Sequence, residues 1–143
     1  MISHGKEIKV FSGNSNRPLA EDVAAHLYKS LGSINTSQFS DGECSVSVFE
    51  PVRGKDVFIV ADCYNYNVTY KMRGMDIPTT PDEHFCDLKR IISAIGGKAK
   101  RISVVMPMLY SSRQHRVGGR ESLDCAQSLA DLAAIGVDNI MTF

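Results

Sequence analysis

Apolar residues in this chain recur with two different periods, and the switches between them predict its elements. Residues 8–11 form a short apolar run that stops at the turn-rich Ser12-Gly-Asn-Ser-Asn16, which predicts a strand and then a loop. From about Pro18 the repeat lengthens to four: Leu19, Val23, Leu27 and Leu31 share one face, and Gly32 ends the run. A helix is expected there, with the fixed φ of Pro18 suiting its first turn and Glu21 and Asp22 complementing its positive end. Further on, Cys44, Val46 and Val48 alternate with Ser45 and Ser47, the pattern of a strand wetted on one face, antiparallel or at an edge. After a polar turn over residues 51–56, Val57-Phe-Ile-Val-Ala61 is apolar throughout, as a strand covered on both faces should be.

Residues 64–81 show no period and contain two prolines and a glycine, so a long loop or loosely helical insertion is expected. Thr80-Pro-Asp-Glu83 then has the makings of a capping box with proline in the first turn. The helix it opens carries Phe85, Leu88, Ile92 and Ile95 on one face and closes at Gly96-Gly97. Residues 102–109 read as a buried strand with Pro107 near its end, where a ladder donor is least missed. A loop over 110–120, a helix over 122–135 stopped by Gly136, and the start of a further strand over 137–143 complete the pattern. The alternation predicts an α/β fold: a doubly wound, mostly parallel sheet with an antiparallel or edge hairpin.

Composition narrows the reading. With 143 residues, 43% hydrophobic and 22% charged, the chain matches one globular domain. Sixteen basic residues balance sixteen acidic ones, so no global field draws nucleic acid or an anionic membrane, and any anion site must be local. Cys44, Cys63, Cys86 and Cys125 are widely spaced without a zinc-type pattern, which fits free thiols in a reducing compartment. The N-terminus lacks an apolar signal-like run and no stretch of eighteen uncharged apolar residues occurs, so a cytoplasmic protein without membrane contact is expected. His4, His26, His84 and His115 are scattered, as surface or capping histidines rather than metal ligands would be. Tyr64, Tyr66 and Tyr70 lack a basic stripe and read as packing, not base stacking.

Two segments carry candidate chemistry. In Phe39-Ser-Asp-Gly-Glu43, Asp41 or Glu43 can accept a hydrogen bond from an exocyclic amine while Phe39 packs on the ring. The same letters are also ordinary turn chemistry, with Gly42 supplying a positive φ. Between residues 110 and 121 there are three arginines, a Gly118-Gly119 pair and no acid before Glu121. Arginine forks match phosphate oxygens, although a solvated basic loop has the same composition.

Taken in order, these segments make the chain resemble the N-terminal half of the ribose-phosphate diphosphokinase family. Phe11-Ser-Gly-Asn14 resembles that family's opening strand and loop, and Phe39-Ser-Asp-Gly-Glu43 its adenine-contacting motif. Val52-Arg-Gly-Lys-Asp-Val57 resembles the turn before its next strand, Asp87-Leu-Lys-Arg90 a helix segment, and Tyr110-Ser-Ser-Arg-Gln-His-Arg116 its flexible ATP loop. The resemblance implies a phosphoribosyltransferase-like domain over residues 1–143, on the ATP side of an enzyme that transfers diphosphate from magnesium ATP to ribose 5-phosphate. AMP and phosphoribosyl diphosphate are the implied products. By position, Phe39, Asp41, Gly42 and Glu43 would meet the adenine end from a neighbouring subunit of a homo-oligomer. Arg113 and Gln114 would hold ATP, and Arg116 is a further phosphate-contact candidate. No catalytic residue and no metal ligand is assigned within 1–143, because the family's Asp-x-His element and its ribose 5-phosphate domain are expected beyond Phe143. Two departures stand out: His115 where the family usually has aspartate, and a residue 64–81 stretch longer than the common form. An alternative reading is a non-catalytic relative that binds nucleotide or assembles with an active enzyme.

Overall fold

The structure is a computed structural model that describes residues 7–143; residues 1–6, including His4 and the N-terminal segment considered above, lie outside the described residues. In chain order the elements are β1 (Ile8–Ser12), α1 (Arg17–His26), β2 (Ile34–Gln38), β3 (Cys44–Val48), β4 (Asp56–Val60), β5 (Thr69–Met72), β6 (Met75–Pro78), α2 (Pro81–Ile95), β7 (Arg101–Val105), α3 (Asp124–Ala134) and β8 (Asn139–Met141). Four strands form a parallel sheet in the order β1-β4-β7-β8, and two antiparallel hairpins, β2-β3 and β5-β6, stand apart from it.

Alternation along the central strand explains the layering. Val57 and Ile59 of β4 face one side, where they join Phe11, the α2 residues Phe85, Leu88, Ile92 and Ile95, and Leu132 of α3. Val60 faces the other side with Val10, Ala20 and Ala24, and Phe58 packs beside them. Helices therefore cover both faces, so the sheet is doubly wound as the pattern predicts. At the amino ends of β4 and β7, buried Asp56 takes a two-pronged grip from Arg101, with Nε at 3.2 Å and Nη2 at 3.1 Å. Charge-assisted pairing of this kind is what makes a buried carboxylate tolerable.

α2 forms as expected. The Thr80 hydroxyl accepts from the Glu83 N–H at 3.3 Å while the Glu83 carboxylate accepts from the Thr80 N–H at 2.7 Å, and Gly96 takes the left-handed conformation at the other end. α1 departs from expectation. It stops at His26, Leu27 is exposed, and the residues it buries are Ala20 and Ala24. Small side chains bring its backbone close to the sheet; of the four-residue repeat, Leu19 and Leu31 pack beside them and Val23 is half-buried, while Leu27 turns out to solvent. Asn16 caps the helix through the Leu19 N–H, the first turn holds no acid, and Glu21 pairs with Arg17 at 3.0 Å instead of serving the dipole. Tyr28, with φ +54°, turns the chain out of the helix.

Gly32 is not a helix stop. Its N–H donates to the Val10 carbonyl at 2.7 Å, and a Cβ there would lie 2.2 Å from the Phe11 ring, so the backbone approach itself requires glycine. Residues 64–81 are likewise not a structureless or helical insertion. They contain the β5-β6 hairpin, in which Met72 pairs with Met75 and Arg73 and Gly74, with φ +50° and +80°, form the two-residue turn, the backbone that a tight hairpin favours. β7 ends at Val105, earlier than expected, although the Met106 N–H still reaches the Met141 carbonyl before Pro107 interrupts the ladder.

Candidate functional site

The loops leaving β1, β4 and β7 meet at the carboxyl edge of the sheet, where open α/β folds bind ligands. They are laced by side chains. Asn16 Nδ2 donates to Asp62 at 2.9 Å, the Asp62 N–H to the Ser15 hydroxyl at 3.1 Å, and Asn65 Nδ2 to the Ser15 carbonyl at 2.7 Å. His84 joins this network. Expected at the surface or a cap, it is buried, and its Nε2 lies 2.9 Å from the Asn65 carbonyl. A carbonyl only accepts, so this nitrogen carries the proton.

The loop after β7 continues the lacing. Tyr110 stacks on Phe85 with ring centroids 4.2 Å apart and planes 5° from parallel, while its hydroxyl donates to Asp82 at 2.6 Å. That bond to a carboxylate, followed by partial burial, pushes the Tyr110 phenol up to about 12. The Ser111 N–H donates to the Tyr64 hydroxyl at 3.0 Å, the Gln114 N–H to the Ser111 carbonyl at 2.9 Å, and the Cys125 N–H to the Gln114 carbonyl at 3.2 Å. The last contact serves the first turn of α3, whose N-cap Leu123 supplies no side-chain acceptor. Beyond these anchors the side chains of Arg113, Gln114 and Arg116 are exposed, and among the described residues none has a hydrogen-bond or ion-pair partner. His115 folds back, with Nδ1 at 2.9 Å from the Ser112 carbonyl.

Phe39, Asp41, Gly42 and Glu43 cap the β2-β3 hairpin. Asp41 Oδ1 accepts from the Glu43 N–H at 3.0 Å, the Gly42 N–H donates to the Phe39 carbonyl at 2.9 Å, and Gly42 has φ +95°. The turn chemistry read in these letters is present. Phe39, Asp41 and Glu43 are exposed, and apart from the Asp41 contact both carboxylates point to solvent without a partner among the described residues.

Between the two hairpins and α2 lies a cavity of about 210 Å³, lined among others by Gln38, Gly42, Tyr70, Glu83 and Asp87. Tyr70 donates to Glu83 at 2.6 Å, which pushes the phenol up. Burial raises the Glu83 carboxyl, but the Thr80 N–H and the Tyr70 hydroxyl outweigh it and hold the group below the usual carboxylate range. Pockets for drug-sized ligands run from roughly 300 to 1,000 Å³, so this cavity does not house a nucleotide by itself. It includes Gly42 but neither Arg113 nor Gln114. No hydrogen bond or ion pair among the described residues joins the two sequence-predicted segments. The fold brings Arg113, Gln114 and Arg116 together in one loop and keeps the residue 39–43 turn on a separate hairpin.

Residues 8–136 match the family described as the N-terminal domain of ribose phosphate pyrophosphokinase, the enzyme also called ribose-phosphate diphosphokinase. The chain belongs to this family. It is 35% identical over 146 residues to the ribose-phosphate pyrophosphokinase of Thermotoga maritima, an alignment that covers 99% of this chain and 41% of the relative. The Clostridium perfringens ribose-phosphate pyrophosphokinase is 36% identical over 145 residues, again with 99% of this chain and 41% of the relative covered. Among solved structures, phosphoribosylpyrophosphate synthetase from Mycobacterium smegmatis superposes with a TM-score of 0.79 at 25% identity, over 96% of this chain and 42% of that one. The chain thus spans about 41% of the length of the curated relatives it matches. For a pyrophosphokinase N-terminal domain, both candidate segments fall inside the matched region. Tyr110 opens the loop motif, but its stack on Phe85 and the roles of Asp82 and Tyr64 as anchors were not identified from sequence, because Asp82 reads only as a first-turn acid and Tyr64 only as packing. Among the described residues no helix is long and apolar enough to cross a membrane.

Proposed function

We propose that residues 1–143 form the ATP-side domain of a ribose-phosphate diphosphokinase that transfers diphosphate from magnesium ATP to ribose 5-phosphate. A ribose 5-phosphate-binding domain outside this range would complete it. One observation supports the reading beyond family membership: Arg113 and Gln114 present unpaired side chains on a backbone fixed at both ends, at the carboxyl edge of β7. Unpaired guanidiniums are open to phosphate oxygens, and a backbone already anchored at both ends leaves less loop entropy to lose on binding.

In the reaction, the 1-hydroxyl oxygen of the sugar bonds to the β-phosphorus, the bond between that phosphorus and the α,β-bridging oxygen breaks, AMP leaves and the hydroxyl proton is released. Such chemistry depends on alignment and on neutralising the transferred group. Arg113 would share the polyphosphate charge, Gln114 would orient it, and Arg116 lies close enough in sequence to add a second guanidinium. Magnesium enters as part of the magnesium ATP substrate, and no step is assigned to a protein-held ion. The Phe39, Asp41 and Glu43 side chains, which among the described residues share no hydrogen bond or ion pair with the Arg113 loop of their own chain, would meet adenine in a neighbouring subunit's site, making the working form a cytoplasmic homo-oligomer.

The test joins residues 1–143 to a ribose 5-phosphate-binding domain and measures AMP release. Arg113→Ala should lower kcat/KM for ATP at least tenfold, because a charge-assisted contact contributes roughly 1.5 to 3 kcal/mol, while the melting temperature stays nearly constant. Activity that fell only in step with stability would make the loop structural and end this reading. The 143-residue chain alone should release AMP at background rate.

A further inference from the structure

We propose that Tyr110 is a positioning residue, and that with Phe85, Asp82 and Tyr64 it forms a clamp that holds the Arg113-Gln114 loop in one shape before nucleotide arrives. The proposal deepens the ATP reading and rests on it. Ser111 is a non-glycine residue in the left-handed region, with φ +56°. Such backbone persists only where surrounding contacts over-determine it. Three contacts do so, each from a different direction. Tyr110, immediately before it, is fixed in plane by the stack on Phe85, which is buried in the core. The Tyr110 hydroxyl is fixed in rotation by Asp82 on the first turn of α2. The N–H of Ser111 itself is held by the Tyr64 hydroxyl, from the loop after β4.

These contacts differ in strength. The bond to Asp82 is exposed and competes with water, whereas the stack rests on a core residue that cannot move without opening the domain. The bond from Ser111 to Tyr64 is partly buried. Tyr110 and Tyr64 should therefore control the loop more than Asp82 does. What they fix is propagated: the Ser111 carbonyl receives the Gln114 N–H, so the turn carrying Arg113 is built directly on the strained residue. All four side chains are engaged in these contacts with one another or with the Ser111 N–H, so their effect passes through the loop backbone.

The experiment follows trypsin cleavage of the purified 143-residue chain under native conditions, with wild type, Tyr110→Phe, Tyr110→Ala and Tyr64→Phe, each with its melting curve. Bonds after Arg113 and Arg116 report the loop, and the bond after Arg73 in the β5-β6 turn is an internal control. Losing one hydrogen bond should open the loop about 2- to 12-fold. Tyr64→Phe should accordingly speed loop cleavage within that range, Tyr110→Phe less, and Tyr110→Ala more than tenfold, with cleavage after Arg73 unchanged. Partial rescue by phenylalanine separates the stack from the hydroxyl. Unchanged loop cleavage in Tyr110→Ala and Tyr64→Phe overturns the clamp. So does acceleration shared equally by Arg73, which marks a general structural role. Magnesium ATP added to wild type should slow cleavage after Arg113. If it does not, while the variants still open the loop selectively, the nucleotide reading falls and the clamp on the loop stands.

Discussion

The Phe39 to Glu43 turn and the Arg113-Gln114 loop are both short, polar and exposed, yet they get their shapes in opposite ways. The turn is closed by bonds among its own five residues, with Asp41, Gly42 and Phe39 all serving backbone partners inside it. The loop is held by partners 28 and 47 residues away in sequence, Asp82 and Tyr64. A locally closed turn keeps its form wherever its hairpin is placed, which suits a group offered to another molecule. A loop braced on the core has its form only inside this fold.

The largest test of that contrast removes the floor beneath the loop. Phe85→Ala should destabilise the domain by about 3 to 5 kcal/mol, since it opens a core cavity and strips the Tyr110 stack. Thermal denaturation measures the loss, and the residue 39–43 turn should keep its backbone shifts in the native population. A smaller effect is expected at Gly42. With φ +95° and only Met72 Sδ near the site of an added Cβ, at 3.5 Å, Gly42→Ala meets a backbone penalty and no clash, about 1 to 2 kcal/mol. Its signature is a lowered melting temperature with loop cleavage after Arg113 unaltered.

The next effect is a pH dependence. Tyr110 has its pKa raised from 10.0 to about 12 in the folded state, chiefly by donating to Asp82. The neutral phenol is the form the fold prefers, so its contribution is complete below pH 10 and fades as pH rises through 12. Melting temperatures of wild type and Tyr110→Phe should run parallel below pH 10 and converge above it. Tyr70, raised by Glu83, leaves the variant part of the alkaline slope. Smallest in stability is Asp41→Asn, because asparagine's side-chain oxygen can accept from Glu43 in the same way. Its expected effect is on recognition: in the assembled enzyme, the ratio of specificity constants for ATP and GTP should fall, and an unchanged ratio would return the motif to a plain turn.

What was legible in the sequence follows the same division. α2 could be read end to end because its capping box, apolar face and terminal glycine all lie within its own segment. The alternating β3 and the apolar run Val57-Phe-Ile-Val60 of β4 were equally self-announcing, although the strand starts one residue earlier, at Asp56. β2 was not, since Ile34-Asn-Thr-Ser-Gln38 has one apolar residue and gains its order from pairing with β3. The β5-β6 hairpin escaped notice because its turn is Arg-Gly, a weaker signal than asparagine-glycine. Gly32 looked like a helix end because the Phe11 ring it must admit is 21 residues earlier. The two candidate segments could be seen as letters, whereas the buried His84 and the anchors of the Arg113 loop could be seen only once the chain had folded.

Gln114 shows what such anchoring makes observable. Its side chain is offered outward while its backbone carbonyl receives the Cys125 N–H at the start of α3, a helix with no side-chain cap of its own. A displacement of Gln114 relative to α3 therefore changes the length or angle of that bond. The Cys125 amide proton becomes a native gauge: its chemical shift and exchange rate report the state of the loop from inside an ordered helix, without a dye, a label or an engineered probe.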